Sequence, residues 1–375
     1  MKQGATKTLR ATGIILVLFF LFCSFALLPQ PVRAINTVTA TVTVGSGPEG
    51  VAITPNGEYA YVTNQGGTTL SVISTATNTV TATVTVGSGP VGVAITPNGE
   101  YAYVANAGSH TVSVISTATN TVTATVTVGD TPVGVAVTPN GEYAYVTNAG
   151  GTTVSVINTA SNTVTATVNV GSNPQNVAVT SDGAYAYVTN YGNNTVSVIN
   201  TASNTLSATI NVGSYPNGVA VTPNGETAYV ANYGSGTVSV ISTASNTVTT
   251  TVTVGSGPWD VALAPNGEYA YVANYGSGTV SVISTASNTV TATVTVGSKP
   301  AAVAVTPNGE YAYVANAGGT TVSVINTASN TVATASPSPK VPEFPAQLPG
   351  ITLVVFMIII VSVIIIAKKK TARKN

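Results

Sequence analysis

The chain has 375 residues, only 6% of them charged, and a formal net charge of zero. That balance hides an asymmetry: residues 35–334 carry a single base, Lys299, against ten acids, while the other bases gather at the two ends. A nucleic-acid partner is excluded, because phosphates demand a basic surface, and the lone Cys23 excludes a disulfide framework.

Residues 1–34 read as a secretory signal. Lys2, Lys7 and Arg10 precede an apolar run from Ile14 to Leu28, and Val32-Arg33-Ala34 offers a cleavage site. An uncleaved membrane anchor is the alternative.

The next three hundred residues repeat one unit. Its opening proline recurs at Pro48, Pro90, Pro132, Pro174, Pro216, Pro258 and Pro300, always 42 residues apart. Each unit divides into four strands, A to D. In the first, Val51–Thr54 is strand A, and Pro55-Asn56-Gly57 is a tight turn whose Asn-Gly pair is expected to supply positive φ angles. Glu58–Asn64 is strand B, Thr69–Ser74 strand C and Thr79–Val86 strand D. Strand D alternates strictly and reads as an outer strand with one wet face, whereas A and C are more continuously apolar and read as covered on both faces. Four short antiparallel strands per unit match a propeller blade. A blade cannot bury both faces alone, so seven must stack in a ring. Residues 35–42 repeat the strand D pattern ahead of the first unit, and the last unit degenerates after Val332. The N-terminal strand is therefore expected to fill the outer slot of blade 7 and remove the open edge. The fold class is all-β, a seven-bladed β-propeller over 35–334.

Strings such as Tyr61-Val62-Thr63-Asn64 and Thr111-Val112-Ser113-Val114-Ile115 resemble the YVTN family of β-propellers, which archaeal surface-layer proteins carry. The resemblance covers residues 35 to about 334 and implies a propeller on a cell surface.

Residues 335–350 are proline-rich and extended, a stalk rather than a domain. Residues 351–367 are 17 uncharged, largely apolar residues, about 26 Å as a helix, and read as a transmembrane segment. The basic tail 368–375 then lies in the cytoplasm and the rest outside. Val341-Pro342-Glu343-Phe344-Pro345 with this span and tip resembles the PEF-type sorting segments of methanogen surface proteins. That resemblance implies removal of the helix and attachment of a lipid. A permanent anchor stays open beside it.

A four-stranded meander puts the D–A and B–C loops on one rim, called X, and the A–B and C–D turns on the other, Y. Rim Y carries Glu58, Glu100, Glu142, Glu226, Glu268 and Glu310, one per blade and not convergent. Rim X holds the four tyrosines that lie outside strand B, Tyr191, Tyr215, Tyr233 and Tyr275, and the single Trp259. These aromatics together with Asp260 are the candidate partner-binding residues, with Gln175, Asn176 and Asn217 beside them, since Tyr and Trp often anchor interfaces. Drift between duplicated units is the alternative. Asn193 heads the single N-glycosylation sequon.

The inventory argues against catalysis: the propeller has one histidine, His110, no cysteine and no arginine. No cofactor and no metal are expected. The leading expectation is a surface-anchored structural or adhesive module that is not an enzyme, with envelope proteins, glycans or other cells as partners. The alternative is an extracellular small-ligand-binding or lactonase-like hydrolase propeller working in the central channel. A site there needs convergent polar residues, and strand A offers mainly Val, Ala, Ile and Thr.

Overall fold

A computed structural model describes residues 36–327. They form 28 strands, β1 (Thr37–Thr43) to β28 (Thr321–Asn326), in seven four-stranded antiparallel sheets. Blade 1 is β2 (Pro48–Ile53), β3 (Tyr59–Asn64), β4 (Thr69–Ser74) and β5 (Thr79–Thr85), and the pattern repeats through blade 6. Blade 7 pairs β26 (Pro300–Val305), β27 (Tyr311–Asn316) and β28 with β1 from the opposite end of the chain. The register runs from Thr37 opposite Asn326 to Thr43 opposite Thr321. Backbone bonds Asn36 N–H to Asn326 O and Val44 N–H to Thr320 O, both 2.8 Å, extend the seam beyond the strand. The signal, the stalk, the apolar span at 351–367 and the basic tail lie outside the described residues.

Val and Thr, β-branched and stiff at χ1, favour these strands. The inner pair B and C is most buried: Ala60, Val62, Leu70, Val72 and Ile73 are all fully covered between neighbouring blades. Strand D alternates only in its second half: Val84 is buried between the exposed Thr83 and Thr85, whereas Val80 is 37% exposed, beside a bulge that shifts the register between Val72 and Ile73. Strand A departs from expectation, being half-buried along most of its length, because its inner face lines the channel instead of packing on a neighbour.

The strand B tyrosines tie the ring together. Tyr61 is 1% exposed and its hydroxyl donates to Asn120 Oδ1 of blade 2 at 2.7 Å. Tyr103, Tyr145, Tyr187 and Tyr229 repeat that bond to the next blade, and Tyr313 of blade 7 makes it to Asn78 of blade 1 at 2.7 Å. The accepting asparagines sit at positive φ in the C–D turns, 54° at Asn78 and 53° at Asn120, a conformation Asn tolerates well.

The A–B turn differs from the sequence expectation. Gly57 takes φ +75° but Asn56 keeps a negative φ, since Pro55 at the preceding position fits an ordinary turn beginning at Thr54. Gly57 N–H closes it on Thr54 O at 2.8 Å. Asn56 serves through its side chain instead, accepting from Thr54 Oγ1 at 2.6 Å and donating to Glu58 at 2.9 Å.

Candidate functional site at the channel mouth

The rims fall as the meander dictates: the B–C loop bonds the preceding D–A loop on rim X (Gln65 N–H to Gly47 O, 2.9 Å), and the C–D turn bonds the A–B turn on rim Y (Thr75 N–H to Glu58 O, 3.0 Å). Strand A starts at rim X, so the two residues after each opening proline ring the mouth of the channel. Around the ring they read Glu49-Gly50, Val91-Gly92, Val133-Gly134, Gln175-Asn176, Asn217-Gly218, Trp259-Asp260 and Ala301-Ala302. All of these but Gly218 line a cavity of about 240 Å³, and Gln65, Ala107 and Thr131 of the rim X loops complete its wall.

Glycine lets these strands converge. A Cβ on Gly50 would stand 2.2 Å from Val91 O, and one on Gly218 would stand 2.6 Å from both the Cα and Oδ1 of Asp260. Strand B threonines fix the spacing: Thr63 Oγ1 donates to Val91 O at 2.5 Å and Thr147 Oγ1 to Gln175 O at 2.8 Å. In blade 6 strand B has Ala273 at that position, and Asp260 itself bridges to blade 7, its Oδ2 accepting from Val303 N–H at 3.1 Å.

Two carboxylates thus enter one cavity from different blades. Burial pushes Glu49 up to about 7, opposed by a hydrogen bond from the Trp259 indole and reinforced by the charge of Asp260. Burial pushes Asp260 up to about 6, against the backbone N–H groups of Val303 and Val261. Asn217, 6% exposed, presents an Nδ2 group that has no hydrogen-bond acceptor. The other orphaned amides differ in kind. They are the Oδ1 atoms of Asn36 and of six of the repeated Asn64-type residues, while the fourth copy, Asn190, accepts from Gly171 N–H at 3.1 Å.

The aromatic candidates divide into two groups. Trp259 stacks on Tyr275 (centroids 5.1 Å) and meets Tyr233 edge-on (5.3 Å), with the Lys299 ammonium 5.6 Å from the Tyr275 centroid. Tyr191 and Tyr215 stack separately at 4.8 Å. Tyr215 is 48% exposed and held at φ +54°, unusual for so bulky a residue. Trp259 and Asp260 belong to the channel mouth as much as to this rim surface. Gln175, Asn176 and Asn217 also line the mouth, so the channel is more polar than its strand composition suggested.

Glu49 was missed because it read as one more scattered acid. Its signal was the column itself: the position after the opening proline reads Glu, Val, Val, Gln, Asn, Trp, Ala in otherwise near-identical repeats. His110 is exposed on rim X, 3.0 Å from Asp130 and accepting Thr131 N–H at Nδ1. Asn193 is exposed in a B–C loop, where its side chain accepts Ser172 N–H. The rim Y glutamates stay apart, each of the first three held by the asparagine of its own turn. Among the described residues no three His, Cys, Asp or Glu side chains gather to hold a metal, and no helix is long and apolar enough to cross a membrane.

Fold and site define a seven-bladed propeller with a polar cavity at one mouth of its channel. The family model of the Cytochrome D1 heme domain matches residues 103–352, two thirds of the sequence, and the chain belongs to that family. A second model, Lactonase, 7-bladed beta-propeller, matches residues 28–138. A solved chain of Kuenenia stuttgartiensis hydrazine synthase is similar in fold, with TM-score 0.70 and 24% identity over 80% of this chain and 99% of that one. No curated protein matches by sequence.

These matches overturn the expectation that the chain is not an enzyme: both family models describe enzyme-related propellers. The inventory argument counted histidines and arginines and passed over the two carboxylates that line this cavity.

The family name implies a heme, and the residues do not fit one. Among the described residues the single His110 lies exposed on the rim, no Met, Cys or Arg occurs, and Lys299 is the lone fixed cation. The cavity offers carboxylates and amides, a hard oxygen donor set poorly matched to heme iron. Its volume of about 240 Å³ is below the ~300–1,000 Å³ typical of drug-sized ligand pockets.

Proposed function

We propose that the channel mouth hydrolyses a small ester or lactone. The observation that carries this reading is the entry of Glu49 and the unpartnered Asn217 Nδ2 into one small cavity, with Glu49 titrating at about 7. A base poised near neutrality suits general base catalysis. An unpartnered amide donor suits a developing oxyanion.

The ionised Glu49 takes a proton from water as the water oxygen bonds to the carbonyl carbon. The carbonyl oxygen becomes an oxyanion held by Asn217 Nδ2–H. Collapse breaks the ester C–O bond, and the proton on Glu49 passes to the departing alkoxide. The products are an acid and an alcohol, one molecule in the case of a lactone. The partial match to the lactonase model supports this class and includes Glu49.

The test is proton release from a panel of small lactones. The wild-type rate is expected to rise with pH through about 7 to a plateau. Glu49→Gln is expected to lose about 10²–10⁴-fold and Asn217→Ala about 10²–10³-fold. Turnover undiminished in Glu49→Gln would refute the reading.

The Tyr191–Tyr215 stack, with Tyr215 48% exposed, favours a second reading for the outer rim, a contact surface for envelope proteins or glycans on a cell-surface protein. Tyr215→Ala should then reduce binding to cell-envelope material while leaving lactone turnover intact. Unchanged binding removes it.

A further inference from the structure

The mouth collects negative charge without answering it. Glu49 and Asp260 line the same cavity, and among the described residues no Lys, Arg or His pairs with either, His110 meeting Asp130 on the outer rim instead. The Lys299 ammonium rests near the Tyr275 ring, 5.6 Å from its centroid. A half-buried carboxylate pair without a cation is costly. The Trp259 indole forms part of the cavity wall, and aromatic faces favour cations. An independent observation points to the same missing occupant. Asn217, nine-tenths buried, lines this cavity with a donor that finds no acceptor, an arrangement that costs stability until an oxygen arrives.

We propose that the molecule taken here carries an ammonium group beside a carbonyl oxygen, so that the substrate class is an ammonium-bearing small ester or lactone. This rests on the hydrolytic reading and names its substrate. Asp260, held by the Val303 and Val261 N–H groups, anchors the ammonium. Asn217 receives the carbonyl oxygen, and Glu49 is left free to move the proton.

Calorimetry of the full chain at neutral pH with two lactams separates this inference from turnover, because lactams resist hydrolysis. 3-Amino-2-pyrrolidinone carries both groups, and 2-pyrrolidinone lacks the ammonium. The aminolactam is expected to bind about tenfold tighter or more, as a charge-assisted bond should, and Asp260→Asn to erase the difference. N-acetylation of the aminolactam removes the charge from the ligand side and should reduce binding to that of 2-pyrrolidinone, so the test does not hang on the folding of one variant. Equal binding of the two lactams, no binding of either, or a preference that survives acetylation would overturn the proposal. Absent lactone turnover alongside a clear lactam preference would sink the hydrolytic reading alone.

Discussion

At the scale of single residues, the site is a departure from what stability alone would choose. Glu49 and Asp260 have pKa values of about 7 and 6 against ordinary values of 4.5 and 3.8. Both values are raised, so the folded state holds protons more tightly than the unfolded chain. The stability this contributes is fully present below about pH 4 and is lost as pH rises through 6 and 7. Denaturation midpoints should therefore fall between pH 4 and 7.5, and the double variant Glu49→Gln, Asp260→Asn should flatten that decline. A wild-type profile already flat over this interval would show that the two groups are solvated and not poised. Asn217 follows the same logic, keeping a donor unmade where an apolar residue of similar shape would cost nothing.

At the scale of elements, strand A carries the function and strand B the assembly. Glycine at the third position of strand A lets adjacent strands close on each other, and at Gly218 the close approach is to Asp260. Gly218→Ala would drive a methyl group to 2.6 Å from the Asp260 Cα and carboxylate. Overpacking of this kind costs about 1–3 kcal/mol. The expected result is a lower melting temperature together with weakened aminolactam binding, read by thermal denaturation and calorimetry. The fold was legible because its signals are local and repeated seven times: the 42-residue proline spacing, strict alternation in strand D, and a surplus strand at the front to match a deficit at the end. The site was legible only in part. Trp259, Asp260, Gln175, Asn176 and Asn217 stood out as breaks in the repeat, but a linear sequence does not show that blades 1, 4, 5 and 6 meet across a channel. Glu49 lies about two hundred residues from Trp259, and ring closure alone brings them together. The turn at Asn56 was misjudged for the opposite reason, a strong dipeptide signal overridden by the proline before it.

At the scale of the whole molecule, seven blades are latched by tyrosines whose hydroxyls reach into the next blade. Burial raises Tyr61, Tyr103, Tyr145, Tyr187, Tyr271 and Tyr313 to about 12, and raises Tyr229 as well. Their contribution to stability is complete below pH 10 and fades as pH climbs towards 12, so the ring should unfold cooperatively in that interval. Blade-by-blade melting, seen as several transitions in circular dichroism, would speak against a closed ring. Closure by β1 is what sets blade 1 beside blade 7, and with it Glu49 opposite Trp259 and Asp260. The most direct measurement of the account is a crystal structure of the protein soaked with 3-amino-2-pyrrolidinone. The account predicts density in the rim X mouth, the ammonium against Asp260 and the carbonyl oxygen against Asn217 Nδ2. Density confined to rim Y or to the outer Tyr191–Tyr215 surface, with the mouth holding water alone, would contradict it.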